Sequence, residues 1–116
     1  MMNTLGKEGE RIAKEFLKKK GYSILQENYR TPFGEIDIIA REKDVLVFVE
    51  VKTRADFTFG SPFEAVNHRK KEKIKKVALS YMKRLKKECP ARFDVLSINV
   101  EDGREKIEHI RDAFEV

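Results

Sequence analysis

With 116 residues, 41% of them hydrophobic and 39% charged, the chain has room for one domain, 1–116, with a genuine core under a heavily charged surface. One cysteine, Cys89, excludes an internal disulfide; one Cys with two His excludes a zinc cluster, and no apolar run is long enough for a membrane helix. The net charge of +5 favours an anionic partner only mildly, and the N-terminal segment carries no apolar signal stretch, so a cytoplasmic protein is expected.

In chain order, Thr4 to Lys20 has helical periodicity, with Leu5, Gly9, Ile12, Ala13 and Phe16 on one face and Gly21 as the stop. Tyr22 to Tyr29 reads as a strand and Thr31-Pro32-Phe33-Gly34 as a turn. Glu35 to Arg41 and Val45 to Thr53 are two more strands around the polar turn Glu42-Lys43-Asp44. After the loop Arg54 to Gly60, Ser61-Pro62-Phe63-Glu64 forms a helix start, with Ser as N-cap and Pro at the first helical position. The helix that follows has an inner face of Ile74, Val77, Ala78, Tyr81 and Leu85, and Pro90 closes it. Arg92 to Val100 is a fourth strand, Asp102-Gly103 a turn and Lys106 to Arg111 a short fifth strand.

The order α-β-β-β-α-β-β predicts an α/β fold: a mixed five-stranded sheet flanked by helices, its third and fourth strands parallel across the helical connection. The basic charge is concentrated on the second helix. From His68 to Lys87 ten Lys or Arg stand against one acid, Glu72; this is a net +9, and the remainder of the chain is −4. A charge run of this kind is ordinarily a solvated face, and it points to nucleic acid only beside a phosphate-cleaving site.

Such a site is visible in the third strand. A central strand buried on both faces reads as a continuous branched apolar run, and Val45 to Val51 does so until Glu50 and Lys52. Alternation points these two side chains the same way, with Val51 facing the other layer. Asp37 stands in the neighbouring strand-like segment. Two carboxylates and a lysine at the ends of adjacent strands make a divalent-cation site suited to phosphodiester hydrolysis, for Mg²⁺ or Mn²⁺ as hard ions that prefer oxygen. A Glu50–Lys52 ion pair that merely ends the strand is the bland alternative.

These residues, with Gly34 to Ala40, Val47 to Arg54, Phe59 to Val66 and Arg92 to Val95, resemble the YraN-type family of PD-(D/E)xK nucleases, which have the restriction-endonuclease-like fold. The segment Gly6-Lys7-Glu8-Gly9-Glu10-Arg11 is also similar to the start of archaeal Holliday-junction resolvases. Ile36 stands where the superfamily name has proline. The resemblance implies metal ligation by Asp37 and Glu50, completed by the Val51 carbonyl. It also implies that Lys52 serves the attacking water and the transition state, and that Glu10 reaches over the sheet as a further catalytic carboxylate. Arg54, Lys70 and Lys71 are the expected nucleic-acid contacts. Glu35 shares a strand face with Asp37. His68 and His109 have no carboxylate or serine partner at a recognisable spacing, and His109 reads as a packing residue. Phe57, Phe59 and Phe63 form an aromatic segment beside the site.

The expected function is a metal-dependent endonuclease acting on DNA, with branched or structured DNA favoured. The alternative is a nucleic-acid-binding module of the same fold with little or no activity. Symmetrical cutting of a junction would require two copies, so a homodimer is possible.

Overall fold

The computed structural model describes residues 4–54, 68–101 and 103–114. Helix α1 spans Thr4–Lys19, followed by strands β1 (Ser23–Thr31), β2 (Gly34–Glu42) and β3 (Val45–Arg54). Helix α2 spans His68–Leu85, and β4 (Ala91–Glu101) and β5 (Arg104–Phe114) complete the chain. The expected order of elements is present. The helix start at 61–64 and the aromatic residues 57, 59 and 63 lie outside the described residues.

The strands form one mixed sheet in the order β1-β2-β3-β4-β5. Strand β3 is central, antiparallel to β2 and parallel to β4. Its apolar run exists because both faces are covered. Val47 and Val49 pack with Ile12, Ala13 and Leu17 of α1, while Phe48 packs with Ile74, Val77, Ala78 and Tyr81 of α2. The helices therefore lie on opposite faces of the sheet, and the two core clusters form separate layers. Leu17, absent from the expected α1 face, is fully buried at its centre. Truncating it to alanine should cost roughly 2–5 kcal/mol.

Most element ends shift by one or two residues from expectation, and two differences go further. Leu85 is not an inner residue: α2 ends there, one turn beyond Tyr81, and its side chain is 42% exposed. Strand β5 runs longer than Lys106–Arg111, because an edge strand tolerates polar side chains on its open face and Phe114 stacks on Phe93 with ring centroids 4.7 Å apart.

Close packing of α1 depends on one glycine. A methyl group at Gly9 would overlap the Thr53 side chain, so the helix can approach β3 only with hydrogen at this position. The contact sets the height at which Glu10, the next residue, stands beside the sheet. Among the described residues, no helix is long and apolar enough to cross a membrane.

Candidate metal centre and its cleft

The site lies where β2 and β3 stop sharing a ladder. Their register runs from Glu42 opposite Val45 to Ile38 opposite Val49. One further step brings Asp37 opposite Glu50. Beyond it the Val51 N–H donates to Asp37 Oδ2 at 2.8 Å, so a side chain takes the place of the next ladder acceptor. Asp37 is thereby held at the mouth of the diverging strands.

Asp37, Glu50 and Lys52 are brought together as expected. With Gly34, Glu35, Val51, Lys70, Lys73 and Ile74 they line a cleft of about 300 Å³ between the sheet and the N-terminal half of α2. Gly34 has φ 146°, a conformation that favours glycine, and its missing side chain leaves room beside Lys73 and Val77. A larger groove bordered by Leu79, Met82, Cys89 and Pro90 lies at the other end of α2 and holds none of the expected site residues.

Burial and the neighbouring Glu50 carboxylate push the Asp37 pKa up to about 8, against the opposing effect of the Val51 N–H. Hydrogen bonding to Glu50 and the charge of Glu10 raise it further. Two carboxylates this close, one of them buried, cannot both ionise without a cation. Among the described residues Lys70 supplies a cation whose ammonium pairs with Glu50; the Glu50 side chain is only 6% exposed. The ion pair of Glu50 is thus made across the cleft with α2, not along the strand with Lys52.

A divalent ion fits this donor set. Among the described residues no group of three His, Cys, Asp or Glu side chains converges, so protein ligation would rest on two carboxylates and backbone oxygen. That is a composition suited to Mg²⁺, which keeps several waters and is held by one or two carboxylates plus substrate phosphate. The Val51 N–H is engaged by Asp37 and its side chain is packed toward α1.

The other expected residues are dispersed. Glu10 stands on the α1 layer and accepts a long hydrogen bond of 3.4 Å from Asn28, while its charge acts on Asp37. Glu35 lines the cleft but is tied to Arg30 at 2.8 Å. Arg54 is half-buried at the end of β3, its Cα paired with Asn99. Lys71 lies over the Phe114 ring at 5.6 Å, away from the cleft lining.

Lys73 was missed, and Lys70 was expected as a nucleic-acid contact rather than as a partner of Glu50. A signal for both exists. Lys70 precedes Ile74 by four residues and Lys73 precedes Val77 by four, so both stand on the side of α2 that turns toward the sheet, although Lys73 itself is exposed. A lysine on an inner stripe indicates something acidic to meet.

The expectation for His109 holds and is extended. His109 is a packing residue, edge-on to Phe16 and Tyr22, but it also has a carboxylate partner: its Nε2 lies 2.7 Å from Asp94 Oδ2. Asp94 is fully buried, with Arg92 Nε at 3.0 Å and the Asp112 N–H at 3.0 Å. Arg92 continues to Tyr22 and Glu42. Burial raises the Asp94 pKa, but the hydrogen bonds from His109, Arg92 and Asp112 outweigh it and hold the carboxyl below its usual range. Pairs fifteen or more residues apart in sequence leave no spacing to read. This network braces the α1 face of β4 and β5 and has no part in the cleft lining.

The model of the uncharacterised protein family UPF0102 matches residues 9–98. A UPF0102 protein of Thermodesulfovibrio yellowstonii is 54% identical over 110 residues, covering 95% of both chains. A second, from Syntrophomonas wolfei, is 50% identical over 115 residues, covering 98% of this chain and all of the relative. A third, from Clostridium botulinum, is 43% identical over 116 residues, covering 97% of this chain and 94% of the relative.

Proposed function

The chain belongs to the UPF0102 family, the YraN-type family of the restriction-endonuclease-like superfamily, and we propose that it is a metal-dependent endonuclease hydrolysing phosphodiester bonds of DNA. One observation carries this reading. Asp37 and Glu50 face each other across diverging strands in a cleft that also holds Lys52, Lys70 and Lys73. A binding module has no need to confine two carboxylates so closely that one is driven to about 8.

Asp37 and Glu50 would hold Mg²⁺ or Mn²⁺, with the Val51 carbonyl as a further ligand. The bound ion supplies Lewis acidity toward a phosphate oxygen and acidifies a water. Everything else falls to the chain. Asp37 would ligate as the carboxylate, its proton released to water. The Val51 N–H keeps the carboxylate oriented while that happens. Lys52, on the same strand face as Glu50, orients the attacking water and offsets charge developing on the phosphorus oxygens. Glu10 stands close enough to act on Asp37 electrostatically and serves as an outer carboxylate. Arg54 at the strand end and Lys71 on α2 would meet the nucleic-acid backbone outside the cleft.

Branched or structured DNA is the favoured substrate, on the similarity of the Gly6–Arg11 segment to resolvases. The reading is tested by offering purified protein duplex, single-stranded, flap and four-way DNA, with RNA controls, in Mg²⁺, Mn²⁺ or EDTA. Metal-dependent cuts in DNA, most rapid on the branched substrates, are expected. Binding with no cleavage of any substrate would instead support the nucleic-acid-binding module.

A further inference from the structure

We propose that Lys70 competes with the divalent ion for Glu50 and, once displaced, holds the phosphate to be cleaved. The second half deepens the nuclease reading and rests on it; the first half does not.

The argument begins with where Lys70 is anchored. Its position four residues before Ile74 puts its backbone on the rigid inner stripe of α2, over the cleft. Its side chain is 41% exposed, whereas that of its partner Glu50 is 6% exposed. The buried carboxylate is therefore fixed, and the half-exposed ammonium at the end of a flexible stem is the part that can move. Lys70 engages Glu50 Oε2, and an ion ligated by Asp37 and Glu50 would sit against the same carboxylate. Two cations in direct contact with one buried carboxylate repel strongly at low effective dielectric. Binding of the ion thus expels the ammonium from Glu50 without requiring α2 to shift.

The expelled ammonium stays among the cleft-lining groups, because the helix that carries it is packed in place by Ile74 and Val77. A phosphate drawn to the ion then meets Lys70 from the α2 side and Lys52 from the β3 side. Lysine suits this exchange. Its point charge moves between carboxylate and phosphate more readily than an arginine fork locked bidentately on Glu50.

The competition fixes the sign and the place of an effect: removing the Lys70 charge should strengthen the site's hold on a metal ion, and removing a distant lysine should not. Calorimetric titration of Mn²⁺ into wild type, Lys70→Met, Lys70→Arg and Lys83→Met, at about pH 8.5 so that protons compete little, reads this directly without nucleic acid. Lys70→Met should bind Mn²⁺ at least about threefold tighter, Lys70→Arg no tighter than wild type, and Lys83→Met, at the far end of α2, within about twofold of it. Equal or weaker binding by Lys70→Met, with its fold intact by circular dichroism, overturns the competition. If that variant folds poorly, Lys70→Gln makes the same comparison.

The phosphate role is read from affinity for four-way DNA with Ca²⁺ replacing Mg²⁺. Lys70→Met should bind several-fold more weakly and Lys70→Arg close to wild type; unchanged affinity in Lys70→Met overturns that role. The two readings fail separately. Wild type that cuts nothing yet shows the expected Mn²⁺ response sinks the nuclease and leaves the competition, and cleavage without that response does the reverse.

Discussion

The Val51 N–H donates to Asp37 Oδ2 across 2.8 Å, at the point where the backbone ladder between β2 and β3 runs out. A buried amide needs an acceptor and the diverging strand no longer offers one, so the carboxylate fills the role. The same bond holds Asp37 against Glu50. Strand geometry and site chemistry are therefore coupled through one hydrogen bond.

Asp37 makes the metal-free protein sensitive to pH. Its folded pKa, about 8, lies above its ordinary value of 3.8. Its contribution to stability is thus fully present below about pH 4 and is lost as pH rises through about 8. Asp37→Asn keeps the acceptor for Val51 but does not ionise. In EDTA the melting temperature of this variant should overtake that of wild type increasingly between about pH 5 and pH 8, then hold a constant lead. With Mn²⁺ at about pH 8.5 the order should reverse, because only wild type gains stability from the ion. A difference that ignores pH would contradict the placement of a proton on Asp37.

Lys52→Ala should separate chemistry from binding. If Lys52 acts mainly in the transition state, as proposed, single-turnover cleavage should fall by at least about a hundredfold while affinity for DNA stays within a few-fold. A parallel loss of both would assign Lys52 to ground-state binding instead.

Gly9→Ala should push α1 off β3. Overpacking of this kind costs about 1–3 kcal/mol in urea unfolding, and Thr53→Ala in the same chain should recover part of it, because the clash is with the Thr53 side chain. Simple additivity of the two substitutions would show that the helix does not depend on this contact.

Asp94→Asn should damage the fold and not the cleft. Loss of the buried charge leaves Arg92 without its fully buried partner, for a cost of roughly 3–5 kcal/mol at pH 7. Because the folded pKa of Asp94 is depressed, its stabilisation is present above about pH 4 and fades as pH falls through the folded value. The gap between wild type and variant should therefore narrow in acid. Mn²⁺ affinity of the folded variant should match wild type, a result that would fail if the network supported the metal centre.

The sequence carried the β3 centre of this fold plainly, because a strand buried on both faces has no polar alternative until the point where the cleft intrudes. Glu50 and Lys52 were legible as that intrusion, and Asp37 as its neighbour. The end of α2 was not: Leu85 has the right spacing for the inner stripe, but periodicity cannot tell where the sheet beneath a helix stops. Lys70 was hidden by its company, one lysine among ten basic residues, although its place on the inner stripe distinguishes it from Lys76 or Lys83. His109 with Asp94 was invisible for a different reason. Their partnership depends on the β4–β5 register, which brings Leu96 opposite His109, and no local pattern encodes that pairing.

The central claim is that the Asp37–Glu50 cleft cuts DNA. Its most direct test is single-turnover cleavage of four-way DNA in Mn²⁺ by wild type, Asp37→Asn and Glu50→Gln, purified identically and shown by circular dichroism to be folded. The account predicts cutting by wild type and a loss of at least about a hundredfold in each variant, with no rescue by excess metal. Cleavage at the wild-type rate by either variant would contradict it and place the chemistry elsewhere.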